Sequence, residues 1–93
     1  MNKFEFDKSI DVEKMIETIE RFKKVPGANA IRERIVEVML NVVPMWQEGV
    51  EYTEGCNVIY NNVVYKVIQP HTSTSECTPD VNESMFENIF VIN

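Results

Sequence analysis

Two consecutive asparagines constrain this chain more than any other feature. Val58-Ile59-Tyr60 and the run from Val63 to Gln69 are rich in β-branched and aromatic residues, and only Asn61-Asn62 separates them. Asparagine tolerates the left-handed backbone angles that a two-residue hairpin turn requires, so the segment predicts an antiparallel hairpin. If Tyr60 faces Val63 across the turn, then Val58 faces Tyr65 and Cys56 faces Val67. One face of the hairpin then carries Cys56, Val58, Tyr60, Val63, Tyr65 and Val67. The other carries Asn57, Ile59, Val64, Lys66 and Ile68. The first face is almost wholly apolar and must be buried.

The surroundings extend this into a small β module over residues 45–93. Gly49 and Gly55 mark turns with unusual backbone angles. Trp46, Tyr52, Tyr60, Tyr65, Phe86 and Phe90 supply large rings. A module this short buries little surface, so the simpler reading of each ring is core. Pro70 to Asp80 reads as loop, with His71, Thr72 and Ser73 as a hydrogen-bonding cluster that tightens it. A last short strand is expected through Ile89-Phe90-Val91-Ile92.

Residues 1–44 have a different texture. Ser9 or Asp11 can cap a helix with an apolar stripe at Val12, Met15, Ile16, Ile19 and Phe22. Arg21, Lys23 and Lys24 suit the negative end of its dipole, and Pro26-Gly27 stops it. A second helix, from about Ala28 to Asn41, repeats Ile31, Ile35, Val38 and Val42 at 4-3-4 spacing and ends at Pro44. The predicted class is therefore α+β: an N-terminal helical hairpin or stem over 1–44, then a small antiparallel β module over 45–93. Two uses of the helical stripes stay open. They pack on each other or on the β module, or Ile16, Ile19, Ile31, Ile35, Val38 and Val42 dock identical chains into a dimer or trimer. Helices this short need some partner surface.

Charge narrows the partners. Residues 1–44 hold eight basic and eight acidic side chains, whereas 45–93 hold Lys66 alone against seven acids. The module's charge of −6 repels phosphate backbones and anionic lipid, which argues against nucleic acid and membrane as partners. No stretch approaches the roughly 20 apolar residues of a membrane span. The acidic residues in Met1-Asn2-Lys3-Phe4-Glu5-Phe6-Asp7 do not suit a signal peptide, so synthesis in the cytoplasm is expected. Cys56, Cys77 and His71 are too few and too irregularly spaced for a structural zinc site, and free, partly buried thiols are expected. Cys77 and His71 are close in sequence, but no constellation of nucleophile, base and orienting group emerges, and no glycine-rich phosphate loop exists. The chain reads as non-enzymatic, without metal or cofactor.

One ordered pattern runs through the module. Trp46-x2-Gly49-x2-Tyr52-x2-Gly55-x2-Val58-x-Tyr60 is followed by Val64-Tyr65-Lys66-Val67-Ile68-Gln69-x-His71-Thr72-Ser73, then by Thr78-Pro79-Asp80 and Ser84-Met85-Phe86. It resembles the chitin-binding type of carbohydrate-binding module, in the version found in short phage and prophage tail-associated proteins. The resemblance covers roughly residues 44–87. This chain departs from it at Cys56-Asn57, where an acidic residue usually follows the glycine. It departs again at Cys77, where a tryptophan usually precedes Thr-Pro.

The resemblance implies a binding protein whose aromatic rings stack on sugar, with Trp46, Tyr52, Tyr65, His71 and Phe86 as candidate ligand-binding residues. It also implies a phage virion part (tail, fibre or head surface) with other virion proteins and its own copies as partners. Cell-surface glycan is a further partner it implies. The alternative it leaves open is a glycan-binding module proper, for chitin-like or cell-wall N-acetylhexosamine polymers.

Overall fold

The computed structural model describes residues 11–92. Helix α1 spans Val12–Arg21. Asp11 is its N-cap and accepts a hydrogen bond from the Lys14 backbone N–H at 3.1 Å; Ser9, the other candidate cap, lies outside the described residues. The helix stops a turn earlier than its sequence suggests. Phe22 is already the C-cap, 38% exposed, and Lys23 and Lys24 fall in the turn beyond. Val25 precedes Pro26 and is steered away from helical angles. Gly27 then takes a left-handed φ of 81° to start the next helix.

Helix α2 spans Ala28–Val42. It ends because Val43, which precedes Pro44, is extended at φ −94°, ψ 123°. From there the chain runs beside the central hairpin. The Ile59 N–H donates to the Pro44 carbonyl at 2.9 Å, and the Trp46 N–H donates to the Ile59 carbonyl at 2.8 Å. Two small sheets follow, and all pairings between their strands are antiparallel. In one, β1 (Glu51–Tyr52) pairs with β4 (His71–Thr72); in the other the order is β2 (Asn57–Tyr60), β3 (Val63–Val67), β5 (Phe86–Val91).

The β2–β3 register matches the one derived from the turn. Tyr60 pairs with Val63 and Val58 with Tyr65, and Asn61 and Asn62 take φ of 50° and 63°. Two expectations need correcting. The last strand begins at Phe86 rather than Ile89, because it pairs along most of β3, with a bulge at Val64/Tyr65 that shifts the register. The stretch from Pro70 to Asp80 is not all loop, because His71-Thr72 finds a pairing partner some twenty residues upstream.

The three-stranded sheet is covered on both faces. On one side lie Cys56, Val58, Tyr65, Val67 and Phe86, all buried with Tyr52. On the other, Ile59 and Val64 are 1% and 0% exposed, because α1 and α2 lie over them. Val12, Ile19, Val36, Met39 and Val43 complete this second core, with Met15, Ile16, Ile35, Val42, Ile89 and Phe90 packed around it.

Polar ties reinforce the seam. Lys66 bridges Glu13 of α1 at 3.2 Å. The Arg32 guanidinium donates to the Val91 and Ile92 carbonyls at 3.2 and 2.6 Å while lying 5.3 Å from the centre of the Phe90 ring. Of the two uses open to the helical stripes, packing within the chain is the one this arrangement displays. Ile19 is enclosed in the core and offers nothing to a second copy. Ile16, Ile35 and Val42 are half-buried there, Ile31 is half-buried at the start of α2, and Val38 is 46% exposed.

Candidate functional site

The hairpin and the two flanking loops gather the candidate rings onto the sheet face opposite the helices. Tyr52 arrives on β1, just past the turn at Gly49 (φ 78°). His71 faces it from the paired strand β4, their ring centres 6.2 Å apart. His71 also stands edge-on to Phe86 at 5.0 Å, and Phe86 stands edge-on to Tyr65 at 6.2 Å. Tyr52, His71, Phe86 and Tyr65 thus form a continuous chain of rings. Trp46 makes a separate T-shaped pair with Tyr60 at 5.5 Å.

Most of these rings serve the core. Tyr52, Phe86 and Tyr65 are 2%, 3% and 7% exposed, so each ring serves mainly in packing, and only a small margin of Tyr65 and Phe86 reaches the surface. Burial raises the Tyr52 phenol above the usual tyrosine value near 10, although the hydrogen bond that its oxygen accepts from the Gln47 backbone N–H, at 3.0 Å, works the other way. Burial also raises Tyr65, with the negative charge of Asp80 adding to the effect. Trp46, Tyr60 and His71 are half-buried. The His71 Nδ1 lies 2.8 Å from the Gln69 carbonyl, which can only accept, so Nδ1 carries the proton. The Trp46 indole N–H and the His71 Nε2 are buried with no hydrogen-bond partner among the described residues.

Of the His71-Thr72-Ser73 cluster, His71 adds its contact with the Gln69 carbonyl, and Ser73 makes most of the loop-tightening bonds. Its hydroxyl donates to the Gln47 carbonyl and accepts from the Val50 N–H at 3.0 Å, while its backbone bonds to Val50 and Gly49. Ser73 is 2% exposed, and it holds the 47–50 turn against the start of the 73–80 loop. That loop shapes an open-sided depression of about 630 Å³. Tyr65, Ile68, Pro79 and Phe86 form its apolar floor, Asp80 and Glu83 bring carboxylates, and Glu87 and Asn88 of β5 complete the lining. The contribution of Ile68, Asp80 and Glu83 was not drawn from the sequence. The Thr78-Pro79-Asp80 motif was the available signal, since it follows the hairpin whose rings it covers.

The cysteines are unpaired. Cys56 is buried with its sulfur 3.2 Å from the Thr53 hydroxyl, whereas Cys77 is exposed, not partly buried as expected, because it closes the exposed turn over 74–77. Among the described residues, no group of three or more His, Cys, Asp or Glu side chains could hold a metal ion. No described helix is long and apolar enough to cross a membrane.

Residues 45–87 match carbohydrate-binding module family 5/12. The match begins just after Pro44, ends inside β5, and encloses all five candidate rings. No curated protein matches the chain.

Proposed function

We propose that this chain is a non-catalytic attachment protein whose β module binds glycan, and that it serves as an accessory part of a phage virion at the tail, fibre or head surface. The observation that carries the glycan reading is the family match over 45–87, which spans seven of the eight residues lining the depression beside Tyr65 and Phe86. An apolar floor beside hydrogen-bond acceptors is what a sugar needs, since a pyranose offers a C–H face ringed by hydroxyl donors. The virion reading is supported by the resemblance of Gln69-x-His71-Thr72-Ser73 and Thr78-Pro79-Asp80 to phage tail-associated modules, and self-association through the exposed side of α2 around Ile31 and Val38 belongs with it.

Retention of the full chain on insoluble chitin and on bacterial cell-wall polymer tests the glycan reading. Binding to at least one is expected, and passage through both unretarded would overturn it. The half-exposed Trp46–Tyr60 pair favours a second location for the sugar. Trp46 is the only tryptophan, so a change in its fluorescence on adding oligosaccharide would place the contact there rather than at the depression. The virion and self-association readings are tested by searching purified particles for the chain and by light scattering. Absence from particles together with a monomer at micromolar concentration would refute them.

A further inference from the structure

The depression beside Tyr65 and Phe86 has a charge as well as a shape. Asp80 and Glu83 are both exposed, and neither forms an ion pair among the described residues. One Asp80 oxygen accepts from the Thr78 hydroxyl, which leaves the other free of side-chain donors there. Glu87 lines the depression from β5, where its register partner on the neighbouring strand is Lys66. Lys66 is the only lysine or arginine between 45 and 93, and it is engaged with Glu13 of α1. Among the described residues, no lysine or arginine therefore pairs with either carboxylate beside the apolar floor.

We infer that this depression takes a positively charged saccharide, a polymer of amino sugars whose nitrogen is a free ammonium group, in preference to its neutral N-acetylated counterpart. This rests on the glycan-binding reading above and names the ligand class of that same site. Carboxylates only accept hydrogen bonds, and an ammonium brings three donors with its charge, whereas an acetamide brings a single N–H and a carbonyl oxygen that the carboxylates repel. A basic peptide would answer the charge equally well. The sugar is favoured because the apolar floor and its rim lie within a stretch matching a carbohydrate-binding family. Two solvent-exposed ion pairs, each contributing modestly, set the expected preference at roughly three- to tenfold.

The experiment is calorimetric titration of the full chain with glucosamine and N-acetylglucosamine oligomers of equal length. The titration is run at mildly acidic pH so that the sugar amines carry their charge. The free-amine oligomer is expected to bind roughly three- to tenfold more tightly, with the preference shrinking as salt is added. The double variant Asp80→Asn, Glu83→Gln keeps side-chain size, alters exposed positions, and should abolish the preference while its melting curve stays unchanged. If the N-acetylated oligomer binds as well or better, the inference is wrong and the glycan reading stands. If neither oligomer binds, the glycan reading falls and takes the inference with it. If oligolysine competes as strongly as the amino-sugar oligomer, the surface selects charge without sugar, and the inference is again overturned.

Discussion

Tyr52 shows how a single residue can be conspicuous in a sequence and still be assigned to structure by its surroundings. Its ring is 2% exposed, its oxygen accepts the Gln47 N–H, and burial keeps the phenol protonated beyond its ordinary range. Tyr65 is shifted in the same direction. For an acid whose folded value lies above its unfolded one, the folded state binds more protons as pH passes the unfolded value. The two tyrosines therefore contribute their full stability below about pH 10 and withdraw it as pH rises through their folded values. Thermal melting should hold level with respect to these groups up to about pH 10 and then fall, with part of the phenolate absorbance appearing only as the chain unfolds. Full, reversible ionisation of all three tyrosines near pH 10 with the fold intact would contradict this burial.

At the scale of the element, the β2–β3 hairpin owes its register to two adjacent residues with positive φ, Asn61 at 50° and Asn62 at 63°. This is the turn whose twist suits antiparallel strands, and asparagine is among the few residues other than glycine that enter it readily. Asn62→Val should lower stability by about 1–2 kcal/mol, the cost of placing a branched side chain in the left-handed region. Asn62→Gly should stay within about 0.5 kcal/mol of the parent, since glycine relieves the strain but adds unfolded-state entropy. Urea denaturation of the two variants is the measurement, and equal stability would mean that the turn does not set the pairing. The helices are held differently. Their local signals, the Asp11 cap, Gly27 at the start of α2 and Pro44 just past its end, set three of the four helix ends, and the apolar residues of β2, β3 and β5 give them a surface to cover.

For the molecule as a whole, the N-terminal helices and the β module share a core rather than meeting as mount and cargo. Ile59 and Val64 are buried beneath Val12, Ile19, Val36, Met39 and Val43. Removing residues 1–44 would return Ile59 and Val64 to water, at a cost of about 3–6 kcal/mol for two large aliphatic side chains. Against the total stability of about 5–15 kcal/mol typical of a domain, that loss leaves a module of this size close to unfolded. The shortened protein should therefore lose its cooperative melting transition and bind a hydrophobic dye. A truncated module that melts as the full chain does would show that the helical face contributes no support. The depression with Asp80 and Glu83 lies by the other core, built around Tyr65 and Phe86, away from the face that the helices cover.

The sequence by itself determined the hairpin, its register, the Asp11 cap, the end of α2 ahead of Pro44, and the aromatic character of one sheet face, but not the early end of α1 at Arg21. Each of these is a local property, set by backbone angles or by alternation along a few residues. It also contained the ordered motif from Trp46 to Phe86. Only the tertiary structure decided that the second hairpin face, with Ile59 and Val64, lies under the helices, because a mixed face looks half-exposed until another element is laid on it. The same holds for β4 at His71-Thr72, whose partner is distant in sequence, and for the early start of β5, which follows the length of β3. It holds as well for the candidate site. That Tyr52, Tyr65 and Phe86 are enclosed while the exposed Asp80 and Glu83 edge an open depression depends on how the 73–80 loop folds over the rings. Residue type alone cannot distinguish a ring that fills a core from one that faces a sugar, since the same apolar surface serves both, and only its neighbours in space decide which.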